Sequence, residues 1–559
     1  LRAGVAGNDL AAGNADADGE LQLQWQTSDP ARSRSKARFP GVLDMQGTLS
    51  RANGARVHRY LPLVVEPPAR NYVRDAVQAG QGSQVRFKVK GDLHDMPFKD
   101  PRQGEFRISA NIQNATFAYV PRSLQPSDSL PWPALTNMSG ELVVERARLQ
   151  VNQARAQLGA RAALQVSKAQ GLIASLDNNP VVVVELDAQG PLGDMLGYVN
   201  ASPVASMIGR ALDQAAGSGK ADLRLKLNLP LAAIEKSGVQ GSVTLADNDL
   251  QFSQDSPRLT KARGVVNFSE SGFSLSGAQA RMLGGELRLD GGSVAPGVGN
   301  AVSGAAAAAP AIVLRAQGGV TAEGLRQARE LGFLARLAQH ASGSASYAAT
   351  LAFRRGLPEL KVQSTLQGLG LSLPAPLNKP AQAALPIKFE NALLRESLLA
   401  SAGDASPLRD QLSLEIGRIG AVTYVREHGA SQTKVLRGAI GVGLSSDEAV
   451  ALPEEGVVAN INLNGVDLDA WSRVLSQAAG ADLTSGAAPG AAAAAGAPNG
   501  NGGADALGYL PTVMAIRAGE LTVGDLKLVA LAERPWFAVA RQLLRLAWLV
   551  VLPLGCWLL

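Results

Sequence analysis

Hydrophobic and polar residues alternate along most of this chain. In the segment 221–230, ADLRLKLNLP, every second residue is a leucine, at Leu223, Leu225, Leu227 and Leu229. A period of two residues is typical of a β-strand with one apolar and one polar face. Because similar segments recur, the pattern predicts a protein made mainly of β-strands, whose apolar faces need a cover.

The same alternation recurs at irregular intervals. The segments that have it are 41–50, 84–93, 104–120, 140–151, 241–252, 263–276, 284–289, 456–466 and 516–528. The segment 241–252, GSVTLADNDLQF, predicts a hairpin that turns at residues 247–249. Its apolar residues on the two sides of the turn are Val243, Leu245, Leu250 and Phe252. Repeated strand–turn–strand units predict an antiparallel meander and not parallel βαβ units.

Amphipathic helices are predicted between the strands. Their positions are near 68–80, 194–216, 321–341 and 467–480. In the second helix, Ser202 and Pro203 are typical of a helix start, and Gly217 marks the end. The apolar stripe of this helix is Val204, Met207, Ile208 and Leu212. We expect the stripe to pack on the sheet as a cap.

Two segments without a fold signal divide the chain. Residues 301–311 and 486–504 are rich in alanine and glycine, a composition that predicts flexible linkers or loops. The predicted organisation is a β-rich segment at 1–300, a second at 312–485, final strands at 505–530 and an apolar tail at 531–559.

The tail ends in a continuous apolar run at residues 546–559, LAWLVVLPLGCWLL. A bilayer-spanning helix needs about 20 apolar residues, so this run is too short by itself. Three interpretations stay open, namely a truncated membrane segment, a re-entrant anchor and an out-of-frame tail. The chain begins at Leu1 without a methionine or a signal peptide, which predicts a piece of a longer protein.

Composition narrows the class of protein. An apolar content of 46% with 18% charged residues excludes bulk disorder, and only 4% aromatics means that the apolar faces are aliphatic. The net charge of +5 comes from 53 basic and 48 acidic residues spread along the chain, which argues against nucleic acid as a partner. The single cysteine, Cys556, excludes a disulfide framework and a thiolate metal site.

The sequence has no signature of a catalytic or metal site. The histidines lie far apart without a Cys, His or carboxylate at metal-ligand spacing, and they are His58, His94, His340 and His428. The segment 217–220, GSGK, lacks the first glycine and the final Ser or Thr of a phosphate-binding loop. We therefore predict no catalytic residue, no metal site and no cofactor, and a protein that is not an enzyme.

The predicted helices are too few to cover the apolar faces of the strands. A sheet of roughly twenty strands would extend on the order of 100 Å at ~4.8 Å per strand, and so long a sheet must curl. We predict a mainly β fold in which a long, curved antiparallel sheet forms an open hydrophobic groove. A large apolar surface is typical of a binding site, and an aliphatic groove suits phospholipid acyl chains. The predicted lining residues are Leu223, Leu225, Leu227, Leu229, Val243, Leu245, Leu250 and Phe252.

Several segments resemble the YhdP family of AsmA-like proteins. They are 59–65 (RYLPLVV), 190–212 (GPLGDMLGYVNASPVASMIGRAL), 219–231 (GKADLRLKLNLPL), 238–252, 263–292 and 464–475 (NGVDLDAWSRVL). The resemblance runs in order from about residue 40 to about residue 528. It implies a periplasmic, β-rich body that is anchored in the inner membrane of Gram-negative bacteria in the full-length protein. It also implies movement of phospholipids toward the outer membrane along a hydrophobic groove, as in bridge-like lipid transfer proteins.

The chain departs from the family pattern at both ends, where the usual N-terminal membrane helix is absent and the apolar tail replaces further strands. Two other functions stay open. One is a structural or assembly factor for outer-membrane proteins, and the other is a passive β-rich scaffold with a closed core. Co-purified lipid would favour the conduit over the scaffold. Loss of one outer-membrane protein with unchanged lipids would favour the assembly factor.

Overall fold

The structure is a computed structural model of the chain. It describes residues 2–6, 9–62, 65–158, 163–177, 179–208, 210–233, 236–254, 256–293, 312–354, 357–400, 407–429, 433–444, 450–479, 509, 511–523 and 526–531. The predicted linkers at 301–311 and 486–504 lie outside these residues, as does the predicted tail beyond residue 531.

Strands predominate, and the chain divides into two compact units. The first unit comprises Leu1–Phe252 and Arg263–Phe273, and the second comprises Ser253–Ala262 and Ser274–Leu559. In each unit the strands form a long, open and mainly antiparallel sheet. The predicted mainly β fold with a long antiparallel sheet is therefore confirmed.

Strands of the first unit follow one another as antiparallel neighbours. Each strand from β1 to β10 pairs with the next, β10 then pairs with β12, and β12 pairs with β13. The bounds are β1 (Arg2–Ala6), β2 (Asp9–Gly13), β3 (Ala17–Gln26), β4 (Val42–Asn53), β5 (Val77–Asp92), β6 (Gly104–Phe117), β7 (Leu135–Glu145), β8 (Arg148–Leu158), β9 (Leu164–Ile173), β10 (Val181–Pro191), β11 (Ala216–Ser218), β12 (Lys220–Pro230), β13 (Gly238–Gln251) and β14 (Leu259–Ser269). The first four residues of β14 are assigned to the second unit.

The predicted hairpin at 241–252 is wrong. Residues 241–251 belong to the continuous strand β13, which pairs with β12 and then with β11, and Phe252 follows its end. Asp247 has a φ of +64° and Asn248 is fully buried. The Asn248 side-chain amide donates hydrogen bonds to the carbonyl oxygens of Ser218 and Lys220, at 3.0 and 3.1 Å. The Asp-Asn-Asp sequence forms a bulge here because the neighbouring backbone offers two carbonyls that the Asn248 side chain satisfies.

Helices of the first unit lie in connections between strands. They are α1 (Pro67–Ala76), α2 (Leu192–Asn200) and α3 (Val204–Met207). The helix predicted near 194–216 is therefore two shorter helices. The break lies at Ser202, whose buried hydroxyl donates to the carbonyl oxygen of Val199 at 3.0 Å, and at Pro203, which has no N–H to donate. The predicted stripe is interrupted as a result, and Ile208 is 39% exposed.

Strands of the second unit are mainly antiparallel, but β25 lies parallel to both β24 and β26. Parallel neighbours require a crossover connection, and α7 lies in the one between β25 and β26. The bounds are β15 (Gly272–Met282), β16 (Gly284–Ser293), β17 (Ile312–Thr321), β18 (Ala341–Arg354), β19 (Leu357–Ser364), β20 (Leu369–Leu371), β21 (Ile387–Leu393), β22 (Leu408–Ile416), β23 (Gly420–His428), β24 (Thr433–Val442), β25 (Gly456–Asp467), β26 (Val513–Val523) and β27 (Leu526–Leu531).

The second unit has four described α-helices. They are α4 (Ala322–Gln327), α5 (Phe333–Leu337), α6 (Arg395–Ala400) and α7 (Leu468–Ala479). The helix predicted near 321–341 is divided between α4 and α5, because the intervening Gly332 has a φ of +50°, which a right-handed helix cannot contain. Among the described residues of the whole chain, no helix is long and apolar enough to cross a bilayer.

Candidate functional site

The four leucines of β12 lie on one face of the sheet. Leu223, Leu225, Leu227 and Leu229 are half-buried, whereas the intervening Asp222, Arg224, Lys226 and Asn228 are exposed. Side chains of consecutive strand residues point to opposite faces, so the alternation gives β12 an apolar and a polar face. Within the described part of the chain these leucines are not sealed in a closed core, where they would be almost fully buried, although Leu223 packs against the buried cluster of Ala156, Val166 and Ala188.

The pairing register extends this apolar face across the first unit. Starting from β3, successive partner residues on neighbouring strands are apolar at every step. This aliphatic row consists of Leu21, Gly47, Phe87, Ile108, Val144, Leu149, Ile173, Val182 and Leu229. Every member is half-buried. Each member is therefore partly covered by its neighbours and partly accessible.

The remaining predicted lining residues divide into two groups. Val243, Leu245 and Leu250 pack against a cluster formed by Leu192 and Leu196 of α2 together with Ala221. Of the predicted stripe, Leu212 packs against the same cluster, so α2 supplies most of the cap that we expected from the stripe. Phe252, by contrast, is 46% exposed just beyond the end of β13.

Two aromatic residues on the apolar face were missed by the sequence analysis. The ring of Phe87 covers Gly47, and the ring of Phe268 covers Gly241, at positions where an added Cβ would collide with the ring. Gly241 lies opposite Leu225 in the register of β12 and β13. A glycine in phase with the apolar residues of its strand is the sequence signal for such a neighbour.

The opposite face of β10 and β12 carries charged pairs. Lys226 Nζ lies 2.8 Å from Glu185 Oε1, and Arg224 Nε lies 4.0 Å from Asp187 Oδ1. The hydrogen bond from Lys226 holds the pKa of Glu185 below its usual value. A depression of about 370 Å³ on this face is lined by these side chains and by Lys168. The polar face is therefore a solvated surface with surface ion pairs.

The apolar face of the second unit is covered over part of its extent. Leu412, Tyr424, Val457 and Tyr509 belong to one cluster and are each at most 2% exposed. Tyr509 packs edge-to-face on Tyr424, with ring centroids 5.0 Å apart, and its carbonyl oxygen accepts a hydrogen bond from Tyr424 Oη at 3.0 Å. Tyr509 precedes β26, packs directly on β23 and shares a buried cluster with residues of the neighbouring strands, so it helps to cover this part of the face.

A buried polar cluster adjoins Tyr509. Arg426 donates two hydrogen bonds to Asp410 and one to the Tyr509 hydroxyl at 3.3 Å, and His428 Nε2 lies 2.9 Å from Asp410 Oδ2. Burial by itself raises the pKa of Asp410, but the hydrogen bonds from His428 and Arg426 outweigh it, and the pKa lies below its usual value. Within the described part of the chain, no group of three metal-ligating side chains is present.

This cluster was not predicted from the sequence, although a signal for it exists. Asp410 lies in phase with Leu408, Leu412 and Leu414 on β22, so the alternation places a charge on the apolar face. Arg426 lies in the same phase as Tyr424 on β23. Two charges of opposite sign, each in the apolar phase of consecutive strands, indicate a buried ion pair.

Comparison with known proteins gives one family and one relative. The family model described as "YhdP protein" matches residues 2–532. The relative is the "Intermembrane phospholipid transporter YhdP" of Escherichia coli (strain K12), 24% identical over 365 residues, which are 64% of this chain and 26% of the relative. No solved structure matches the chain. Since the family model covers nearly all of the chain, the chain belongs to the YhdP family.

Proposed function

We propose that this chain is a segment of a phospholipid conduit. In this proposal, acyl chains lie on the apolar face of the first unit and move along it toward the outer membrane, without catalysis. The segment lies in the periplasm, and the full-length protein is anchored in the inner membrane. The proposed lining is the β12 leucines together with the aliphatic row and the apolar residues of β13.

One observation carries this proposal. The aliphatic row crosses nine strands, from β3 to β12, and all of its members are half-buried. Monomeric soluble proteins rarely leave so continuous an apolar surface accessible, and such a surface is typical of a binding site. The lining is mainly aliphatic, which suits flexible chains that slide without a fixed partner.

The energetics of lipid transfer explain why such a face suffices. Exposing the two acyl chains of a phospholipid, about thirty methylenes at ~0.8 kcal/mol each, costs roughly 24 kcal/mol. An aliphatic face that accepts the chains as they leave a membrane removes most of this barrier. Head groups can stay in water at the margin of the sheet, so no polar group needs to be buried.

The relative supports the proposal through its name alone, which describes an intermembrane phospholipid transporter. The aligned part is 26% of that relative, so transport by a whole protein is proposed here and not observed.

The test places one charge on the apolar face. Leu225→Asp puts a carboxylate among acyl chains, where it cannot be solvated or paired, at a cost of several kcal/mol. The matched control is Asn228→Asp on the exposed polar face. It is a better control than Lys226→Asp, because Lys226 pairs with Glu185. We expect Leu225→Asp to abolish lipid transfer between donor and acceptor vesicles, and lipid co-purification by mass spectrometry, while Asn228→Asp leaves both unchanged.

Three outcomes would contradict the conduit. Equal effects of the two substitutions would show that the apolar face is not the path. Unfolding of the Leu225→Asp protein, measured by circular dichroism, would favour a scaffold with a closed core. Loss of one outer-membrane protein in cells with normal lipid composition would favour the assembly factor.

A further inference from the structure

The loop between β3 and β4 concentrates positive charge. This basic loop, residues 27–41, carries four exposed cations within seven residues, at Arg32, Arg34, Lys36 and Arg38. The side chains of Arg32 and Arg34 are 90% and 68% exposed. Basic residues are otherwise spread along the chain, so this loop is a local exception that the overall charge conceals.

The basic loop is folded by its own hydrogen bonds. Ser28 N donates to the carbonyl oxygen of Arg38 at 2.9 Å, and Ser33 N donates to the carbonyl oxygen of Asp29 at 2.8 Å. Ser28 and Ser33 are both buried. The loop therefore holds its cations on a fixed backbone and loses little conformational freedom when they bind a partner.

Few acidic residues neutralise these cations. Arg32 lies 3.9 Å from Asp29, and Arg34 lies 3.8 Å from Asp95, which are long distances for exposed ion pairs. Lys36 and Arg38 form no ion pair with any residue that the structure describes. The loop thus presents a net positive charge to solvent.

An exposed aromatic pair lies at the end of the same loop. The rings of Phe39 and Trp25 stack with centroids 6.1 Å apart at 23°, and the two residues are 66% and 48% exposed. Trp25 Nε1 donates to the carbonyl oxygen of Pro40 at 3.0 Å, which fixes the indole against the loop. By the alternation of β3, Trp25 shares its face with Leu21 and Leu23, so the pair lies where the apolar face reaches the margin of the sheet.

We propose that the basic loop and this aromatic pair dock the chain on the surface of an anionic phospholipid bilayer. Arg and Lys bind lipid phosphates, and basic residues near an anionic membrane surface are attracted to it. Tryptophan and other aromatic rings insert at the level of the head groups. A soluble polyanion would bind to the cations alone, whereas a membrane would bind to the cations and also accept the aromatic rings. The inference concerns docking and does not depend on lipid movement along the apolar face.

The experiment is flotation of the full chain with vesicles. The vesicles contain either phosphatidylglycerol mixed with phosphatidylcholine or phosphatidylcholine alone. The test variant combines Arg32→Glu, Arg34→Glu, Lys36→Glu and Arg38→Glu. The control makes the same change in net charge at exposed cations elsewhere, with Arg86→Glu, Arg155→Glu, Arg288→Glu and Arg315→Glu. We expect preferential binding to the anionic vesicles, weakened on the order of tenfold or more in the test variant and much less in the control.

A second variant separates a membrane from a soluble polyanion. Phe39→Ser keeps every charge but removes the most exposed ring. We expect it to weaken vesicle binding and to leave binding to heparin unchanged. Equal binding of both vesicle types, equal losses in the two quadruple variants, or unchanged vesicle binding by Phe39→Ser would each overturn the proposal. Leu225→Asp should float like the unmodified chain, so failure of docking and failure of the conduit are distinguishable.

Discussion

Arg426 and Asp410 form a bidentate ion pair on the apolar face of the second unit, with donor–acceptor distances of 3.0 and 2.7 Å. Their side chains are only 4% and 3% exposed. The pair lies beside the Tyr509 hydroxyl, so the part of the face that Tyr509 closes also contains its main buried charges. The region between β22 and β25 therefore combines buried aromatic packing with a buried ion pair.

Removal of one partner should destabilise the second unit strongly. Arg426→Met leaves the buried Asp410 carboxylate without its guanidinium, a change that costs about 3–5 kcal/mol. We expect a lower midpoint of urea unfolding, together with faster hydrogen exchange in β22 and β23. Arg224→Met, in an exposed pair on the first unit, is the control and should change little. Similar effects of the two substitutions would contradict the buried pair.

The same pair predicts a dependence of stability on pH. The pKa of Asp410 lies below that of a free aspartate, about 3.9, so the folded state favours the ionised carboxylate. Its contribution is fully present above the unfolded pKa and is lost as the pH falls through the folded pKa. We expect the difference in unfolding free energy between the unmodified chain and Asp410→Asn to shrink as the pH falls below about pH 4. A difference in unfolding free energy that stays constant at acid pH would contradict a lowered pKa of Asp410.

Tyr509 should control access to the covered part of the apolar face. Tyr509→Ala removes the ring that packs on Tyr424, at a cost on the order of 3 kcal/mol, and uncovers Leu412 and Val457. We expect increased binding of a hydrophobic dye and a lower unfolding midpoint. Tyr509→Phe keeps the ring and removes only the contact with Arg426, so it should bind dye like the unmodified chain. Equal dye binding by the two variants would mean that the ring is not the cover.

Replacement by alanine should change the stability of the protein in opposite directions at two glycines. A Cβ at Gly241 would collide with the Phe268 ring and would lie 2.8 Å from the carbonyl oxygen of Arg224, so Gly241→Ala should destabilise by about 1–3 kcal/mol. Gly197, in α2, has no atom within 4 Å of an added Cβ, so Gly197→Ala should stabilise by about 0.5–1 kcal/mol. Thermal unfolding of both variants checks the signs, and a stabilising Gly241→Ala would be incompatible with the close approach of Phe268.

Alternation along single strands was enough to assign the faces of β12. Leu225 and Lys226 point to opposite faces whatever lies next to them, because side-chain direction in a strand is a local property of the backbone. The mainly β class could be predicted for the same reason, because it rests on many strand assignments that are each made from local sequence. The signal for the helix break at Pro203 is also local. The prediction of one long helix across this residue overlooked it.

Contacts distant in the sequence decided the rest. The Asp-Asn-Asp segment tolerates a turn and a bulge equally well, and only the carbonyls of Ser218 and Lys220 select the bulge. In the same way, Asp410 and Arg426 are two isolated charges until strand pairing aligns them. Tyr509 covers Tyr424, which lies 85 positions earlier in the chain. Periodicity fixes where a side chain points, but burial depends on what lies opposite, and only the folded chain brings that partner into place.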